Sequence, residues 1–131
     1  MTATHTLDLL DEPLALCRLD ARAPVPAWAW TGPFASVTRT ADELSVVCAA
    51  AAAPPDAPVS APWRALRVDG PLDLSEVGVL AALLAPLAAA RVSVFAIATY
   101  DTDYLLVREE SVAAAVAALR GAGHVVREEA G

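Results

Sequence analysis

Two short segments hold the residues best suited to recognise a small charged molecule. One is Gly70–Gly78, with Asp73, Ser75 and Glu76 inside it. The other is Ala98-Thr99-Tyr100-Asp101-Thr102-Asp103. The first lies where a helix is expected to begin. A helix amino end offers free N–H groups and a positive dipole end, which suit a carboxylate. Gly70 and Gly78 would let backbone or ligand approach closely. The carboxylates of Asp73, Glu76, Asp101 and Asp103 could hold an α-amino or guanidinium group. A free amino acid carries both charges, so this mixture fits a zwitterion better than a simple anion. Plainer roles stand beside these. Asp73 and Glu76 have the spacing of a helix cap. Asp101 and Asp103 suit a hairpin turn. Tyr100 and Tyr104 suit a half-buried sheet.

The elements that must position these residues follow from local pattern. Trp63–Asp69 reads as a strand broken by Gly70–Pro71. Val77, Leu80, Leu84 and Leu87, with Leu83 alongside, recur at helical spacing and predict an amphipathic helix from about Asp73 to Ala90. Val92–Ala98 and Tyr104–Val107 are strands joined by the polar turn. Val112, Val116 and Leu119 predict a second helix, and His124–Arg127 a last strand. The order strand, helix, strand, strand, helix, strand can form a four-stranded antiparallel sheet with both helices on one face, the ferredoxin-like fold. The first half is poorer in helix. Pro13–Asp20, Phe34–Arg39 and Leu44–Cys48 read as strands. Pro24, Pro26, Trp28 and Trp30 mark an irregular segment that covers the sheet end. Ala49–Pro62 reads as a loop or linker. The expected division is an acidic tail over 1–12, an abbreviated unit with its linker over 13–62, and a full unit over 63–131.

Composition limits the chemistry. The 131 residues contain no lysine, asparagine or glutamine, so all nine basic residues are arginine. Schiff-base and P-loop lysines are excluded, and no amide side chain can serve an oxyanion hole. The net charge of −7 disfavours a nucleic-acid backbone or an anionic membrane as partner. Acidic groups at Asp8, Asp11 and Glu12 argue against a signal peptide. The longest uncharged apolar run, Val77–Ala90, is shorter than the roughly 20 residues that a spanning helix needs. A cytoplasmic setting is expected. Cys17 and Cys48 then read as buried free thiols rather than a disulfide framework. His5 and His124 have no companion at metal-ligand spacing, so no metal or other cofactor is expected.

Longer stretches carry a resemblance. Arg67–Leu80, Val92–Val107 and Gly32–Val47 are similar to small tandem ACT-domain proteins, relatives of the cytosolic arginine sensor of animal nutrient signalling and of the regulatory ACT pairs of aspartate kinases. The resemblance covers most of Cys17–Arg127. It implies tandem ferredoxin-like (βαββαβ) units, the first abbreviated. It also implies a non-catalytic sensor that binds a free amino acid or similar zwitterionic metabolite, pairs as a homodimer and acts on a regulated protein partner. At the helix entry this chain has Leu74-Ser75-Glu76 after Asp73, where the family pattern would place an aromatic. The Thr-aromatic-x-x-acid pattern of the family's ligand site is matched by Thr99, Tyr100 and Asp103. The candidate ligand residues are therefore Gly70, Asp73, Leu74, Ser75, Glu76, Ala98, Thr99, Tyr100, Asp101 and Asp103.

Two other functions compete. Acylphosphatases use the same fold, but theirs is an arginine–asparagine scheme, and this chain has no asparagine. A purely structural domain whose sheet pairs with a protein partner is the second.

Overall fold

The computed structural model describes residues 3–73 and 75–128. Eight strands and two α-helices follow in the order β1 (Thr6–Leu9), β2 (Leu14–Leu19), β3 (Ser36–Arg39), β4 (Leu44–Ala49), β5 (Val59–Val68), α1 (Val79–Ala89), β6 (Val94–Ala98), β7 (Asp103–Arg108), α2 (Val112–Gly121) and β8 (Val125–Glu128). They divide into two compact units. One comprises Glu12–Trp63, and the other comprises the segments up to Asp11 and from Arg64 onward. No helix among the described residues is long and apolar enough to cross a membrane.

The discontinuous unit is α+β, with the strand–helix–strand–strand–helix–strand order read from the sequence. Its sheet has one strand more than the expected four. β1 pairs antiparallel with β5, Leu7 opposite Val68, and parallel with β8, Leu7 opposite Val126. β7 pairs with β5 and with β6. The segment expected to be an acidic tail thus supplies a strand between β5 and β8. The reason is the alternation Thr6-Leu7-Asp8-Leu9, which turns Leu7 and Leu9 into the core at 0% and 3% exposure. Asp8 faces the other way. It accepts from Arg67 Nη2 at 2.8 Å and from Arg127 Nε and Nη2 at 2.6 and 3.0 Å.

Both helices pack on one face of this sheet. Leu7, Leu66, Val68, Leu105 and Val107 meet Leu83, Leu87, Ala115 and Leu119, all fully buried. Each such leucine contributes about 1.5–3 kcal/mol by leaving water. The expected stripe of α1 needs correction only at its start, since Leu80 and Leu84 also pack against the core. Val79, Leu83 and Leu87 form its buried stripe, whereas Val77 is 96% exposed and lies before the helix. Inside α1, Pro86 removes the N–H that would bond to the carbonyl of Ala82.

The continuous unit is a small antiparallel sheet. β4 lies between β3 and β2, and β2 also pairs with the first half of β5, Leu14 opposite Trp63 and Cys17 opposite Val59. Among its described residues there are two short 3-10 turns, at Ala27–Trp30 and Ala50–Ala52, and no α-helix. Its core is Ala15, Cys17, Ala29, Leu44, Val46 and Cys48. Both thiols are free and buried. Trp30 is 59% exposed, and Trp28 packs against this core while also lining a groove of the unit.

Candidate functional site

The two segments singled out above approach each other in the discontinuous unit. β5 ends at Val68, and the chain leaves through Asp69 and Gly70 to a loop that precedes α1. In that loop Leu72 N–H donates to the carbonyl of Asp101 at 2.6 Å. The β6–β7 turn is itself closed by Thr99 N–H to Thr102 O at 2.8 Å and by Thr99 Oγ1 to the same oxygen at 2.9 Å. Thr102 is buried, and its hydroxyl donates to Val68 O at 2.6 Å. Gly70 is needed at this seam. A Cβ there would stand 3.0 Å from Leu72 N, 3.1 Å from Asp101 O and 3.2 Å from Thr102 Cβ.

Asp73 and Glu76 do not start the helix. Glu76 N–H donates to Asp73 O at 2.9 Å, and Asp73 N–H reaches Glu76 Oε1 at 3.4 Å. These reciprocal bonds close a turn ahead of α1. The helix begins at Val79, after Gly78 takes a left-handed conformation at φ +86° that suits glycine. Asp73 Oδ1 accepts from the N–H and the hydroxyl of Ser75, at 2.9 and 2.7 Å. Those two bonds, the main-chain one first, hold the Asp73 carboxyl below its ordinary pKa.

Between loop, helix start and turn lies a cleft of about 320 Å³. Asp73, Glu76, Ala98, Thr99, Tyr100, Asp101 and Asp103 line it, together with Leu72, Gly78, Val79, Leu80 and Thr102. Seven of the ten candidate residues therefore surround one opening. Gly70 lies instead on a neighbouring hollow with Arg67 and Tyr104, and Thr99, Asp101 and Thr102 line both. Ser75 bonds to Asp73 and does not itself line the cleft. Leu74 lies outside the described residues. Sequence reasoning missed Leu72, Val79, Leu80 and Thr102. An apolar residue beside a proline, and a threonine in a turn, carry no signal that they join two loops.

The electrostatics of the cleft are one-sided. Four carboxylates line it, and no basic side chain does. The opposing feature is the first turn of α1, whose N–H groups have no carbonyl within the helix to bind and no capping side chain. Such a cleft can accept a carboxylate at the helix end and a cation at the acids. Elsewhere in this unit His5 and His124 stack at 5.8 Å between ring centroids. Among the described residues no group of three or more His, Cys, Asp or Glu is placed to hold a metal ion.

This geometry coincides with a known family. A model of the ACT domain matches residues 59–121, which include both walls of the cleft. A second model, of an N-terminal domain, matches residues 12–56. A crystal structure of a protein from Agobacterium tumefaciens is 34% identical, covers 99% of this chain and 97% of its own, and superposes with a TM-score of 0.94. The chain carries an ACT domain. The chain is also 37% identical over 59 residues to the human cytosolic arginine sensor for mTORC1 subunit 1, a stretch that covers 44% of this chain and 18% of the sensor. The chain thus spans less than a fifth of that curated relative. The regulatory subunit of aspartate kinase from Thermus flavus shares the fold, with a TM-score of 0.63 at 15% identity over 92% of this chain and 99% of its own.

Proposed function

We propose that this ACT-domain protein is a non-catalytic regulatory module that binds a free amino acid or similar zwitterion in the cleft between the β5–α1 loop and the β6–β7 turn. The observation that carries this reading is that a helix amino end and four carboxylates line one cleft of about 320 Å³. That volume is at the small end of ligand pockets, roughly 300–1,000 Å³. The ligand carboxylate takes the N–H groups of Val79 and Leu80. Its α-amino or side-chain cation takes Asp103, Asp101 and Asp73. Tyr100, 80% exposed, closes over the bound molecule. Similarity to an arginine sensor and to an aspartate kinase regulatory subunit supports an amino acid as the class of ligand. In this reading residues 13–62 are a trimmed counterpart of the unit over 63–131. The module works in the cytoplasm as a homodimer and reports ligand level to a protein partner.

A thermal-shift screen across the natural amino acids tests the proposal. At a hundredfold over its dissociation constant a true ligand stabilises the fold by about 2.7 kcal/mol. At least one amino acid should raise the Tm, and Asp103→Ala should abolish the rise while its circular dichroism stays native. A flat screen sinks the reading and favours a structural, partner-pairing domain. Turnover of a generic acyl phosphate would instead make the protein an enzyme.

A further inference from the structure

We propose that the groove beside Trp28, in the unit Glu12–Trp63, docks a proline-rich segment of a partner protein that carries an arginine or lysine and lies in the extended polyproline conformation. The site is outside the ACT unit and does not rest on the amino-acid reading. Two loops form it. One follows β2 and runs to the short turn at Ala27–Trp30, and the other leads into β5. Between them is an opening of about 680 Å³, walled by Leu19, Pro24, Pro26, Trp28, Pro54 and Pro58.

The walls are short of acceptors. Ala23 N–H donates to Asp20 O at 3.0 Å, Ala29 N–H to Pro26 O at 3.1 Å and Arg18 N–H to Pro58 O at 3.1 Å. Ala57 N–H reaches Pro54 O at 3.5 Å. The Arg39 guanidinium donates to Ala21 O and Ala23 O, which braces the first loop. These carbonyls are already engaged, and the four wall prolines have no N–H and a fixed φ. An ordinary extended strand would enter with N–H groups that find no acceptor. A polyproline segment has few N–H groups, needs no ladder and brings rings that pack against rings.

Trp28 supplies the complementary donor. Its side chain packs on the core of the unit, and its indole N–H has no hydrogen bond among the described residues. Trp63, by contrast, donates its indole N–H to Ser60 Oγ at 2.9 Å. A polyproline segment carries solvated carbonyls, each an acceptor for such a donor. Charge selects the segment further. Arg18 gives its guanidinium to Asp42 O at 2.9 Å, while Asp20 and Asp56 are exposed and have no ion pair among the described residues. Two carboxylates thus stand at the groove beside one tethered cation, and a basic residue on the segment completes them.

Fluorescence anisotropy of a labelled polyproline peptide ending in arginine, titrated with the full chain, tests the site. The peptide should bind, and a glycine–serine peptide with the same arginine should not. Trp28→Phe keeps an aromatic ring and removes the N–H, and should raise Kd roughly fivefold, the worth of one neutral hydrogen bond. Asp20→Asn together with Asp56→Asn should weaken the arginine peptide several-fold at low salt and leave uncharged polyproline unaffected. If Trp28→Phe fails to fold, heteronuclear NMR of the wild type replaces it, and the Trp28 indole N–H signal should move on titration more than those of Trp30 and Trp63. No change in anisotropy at millimolar protein overturns the proposal. So does equal binding of the glycine–serine peptide, or binding that the Trp28 and carboxylate variants leave unchanged. A Trp28 indole signal that shifts with protein concentration alone would assign the groove to a second copy of this chain and overturn it too.

Discussion

His124 Nε2 lies 3.2 Å from the carbonyl of Ala82. That carbonyl is the one left without its helical donor by Pro86, since proline has no N–H. A carbonyl only accepts, so Nε2 carries the ring proton, and Nδ1 is free to accept from His5 N–H at 3.0 Å. The imidazole, only 4% exposed, repairs a break in α1 and ties the end of α2 to the strand β1. A buried histidine that looks available for chemistry is here fully occupied by structure.

His124→Leu should therefore cost roughly 1–3 kcal/mol, the usual penalty for a buried polar group left without a partner. In a Pro86→Ala background the new N–H reaches Ala82 O, and the cost of His124→Leu should fall. Urea midpoints of the four proteins give the coupling directly. Equal costs in both backgrounds would show that the histidine does not serve that carbonyl.

Gly70→Ala should separate the two walls of the cleft. The added methyl meets main-chain atoms at 3.0 and 3.1 Å, which cannot rotate away. Overpacking of this kind costs about 1–3 kcal/mol. The Leu72–Asp101 bond should be the first lost, visible as faster exchange of the Leu72 amide. Slow exchange in the variant would show that the seam tolerates a side chain.

Asp8 makes the protein sensitive to acid. Its hydrogen bond from Arg127, with that from Arg67, holds its carboxyl below the ordinary value near 3.8 despite opposing desolvation. A depressed folded-state pKa adds stability above the unfolded value and loses it as pH falls through the folded one. Unfolding free energy should therefore drop below about pH 4 in the wild type, and Asp8→Asn should flatten part of that drop. At neutral pH Asp8→Asn should cost roughly 1.5–3 kcal/mol, the worth of hydrogen bonds to a charged group. An unchanged acid limb in chemical denaturation at several pH values would remove Asp8 from this role.

Cys17 and Cys48 should be unreactive while the protein is folded. Burial pushes the Cys17 thiol up to about 11 and raises Cys48 as well. Thiolate is the reacting form, so a disulfide reagent at pH 8 should label neither until the unit opens. Labelling should accelerate with denaturant and follow unfolding. Immediate labelling in native buffer would contradict the buried placement.

The readable parts of this molecule were those whose pattern is local and has contrast. β7 has apolar residues from Leu105 to Val107 between polar ends, and α2 shows Val112, Val116 and Leu119 against alanine and arginine. α1 has less contrast, because leucine and alanine surround it, and its start is read too early, at Val77. β1 was illegible for a different reason. Asp8 looks like part of a solvated tail until Arg67 and Arg127, remote in sequence, are seen to neutralise it. The cleft was legible in its acids and its turn, since those residue types declare their chemistry. Leu72 and Thr102 were not, because their roles rest on main-chain and hydroxyl bonds between loops.

The insertion of β1 between β5 and β8 also sets a schedule for synthesis. As the nascent chain leaves the ribosome, residues 12–63 emerge with every partner strand of their own sheet already present. The ACT unit has no such luxury. Leu7 must wait for Val126, far downstream in the message, before β8 can dock. Until β8 emerges, β1 remains a half-paired apolar strand, and a ribosome stalled before β8 would leave that edge open to other chains.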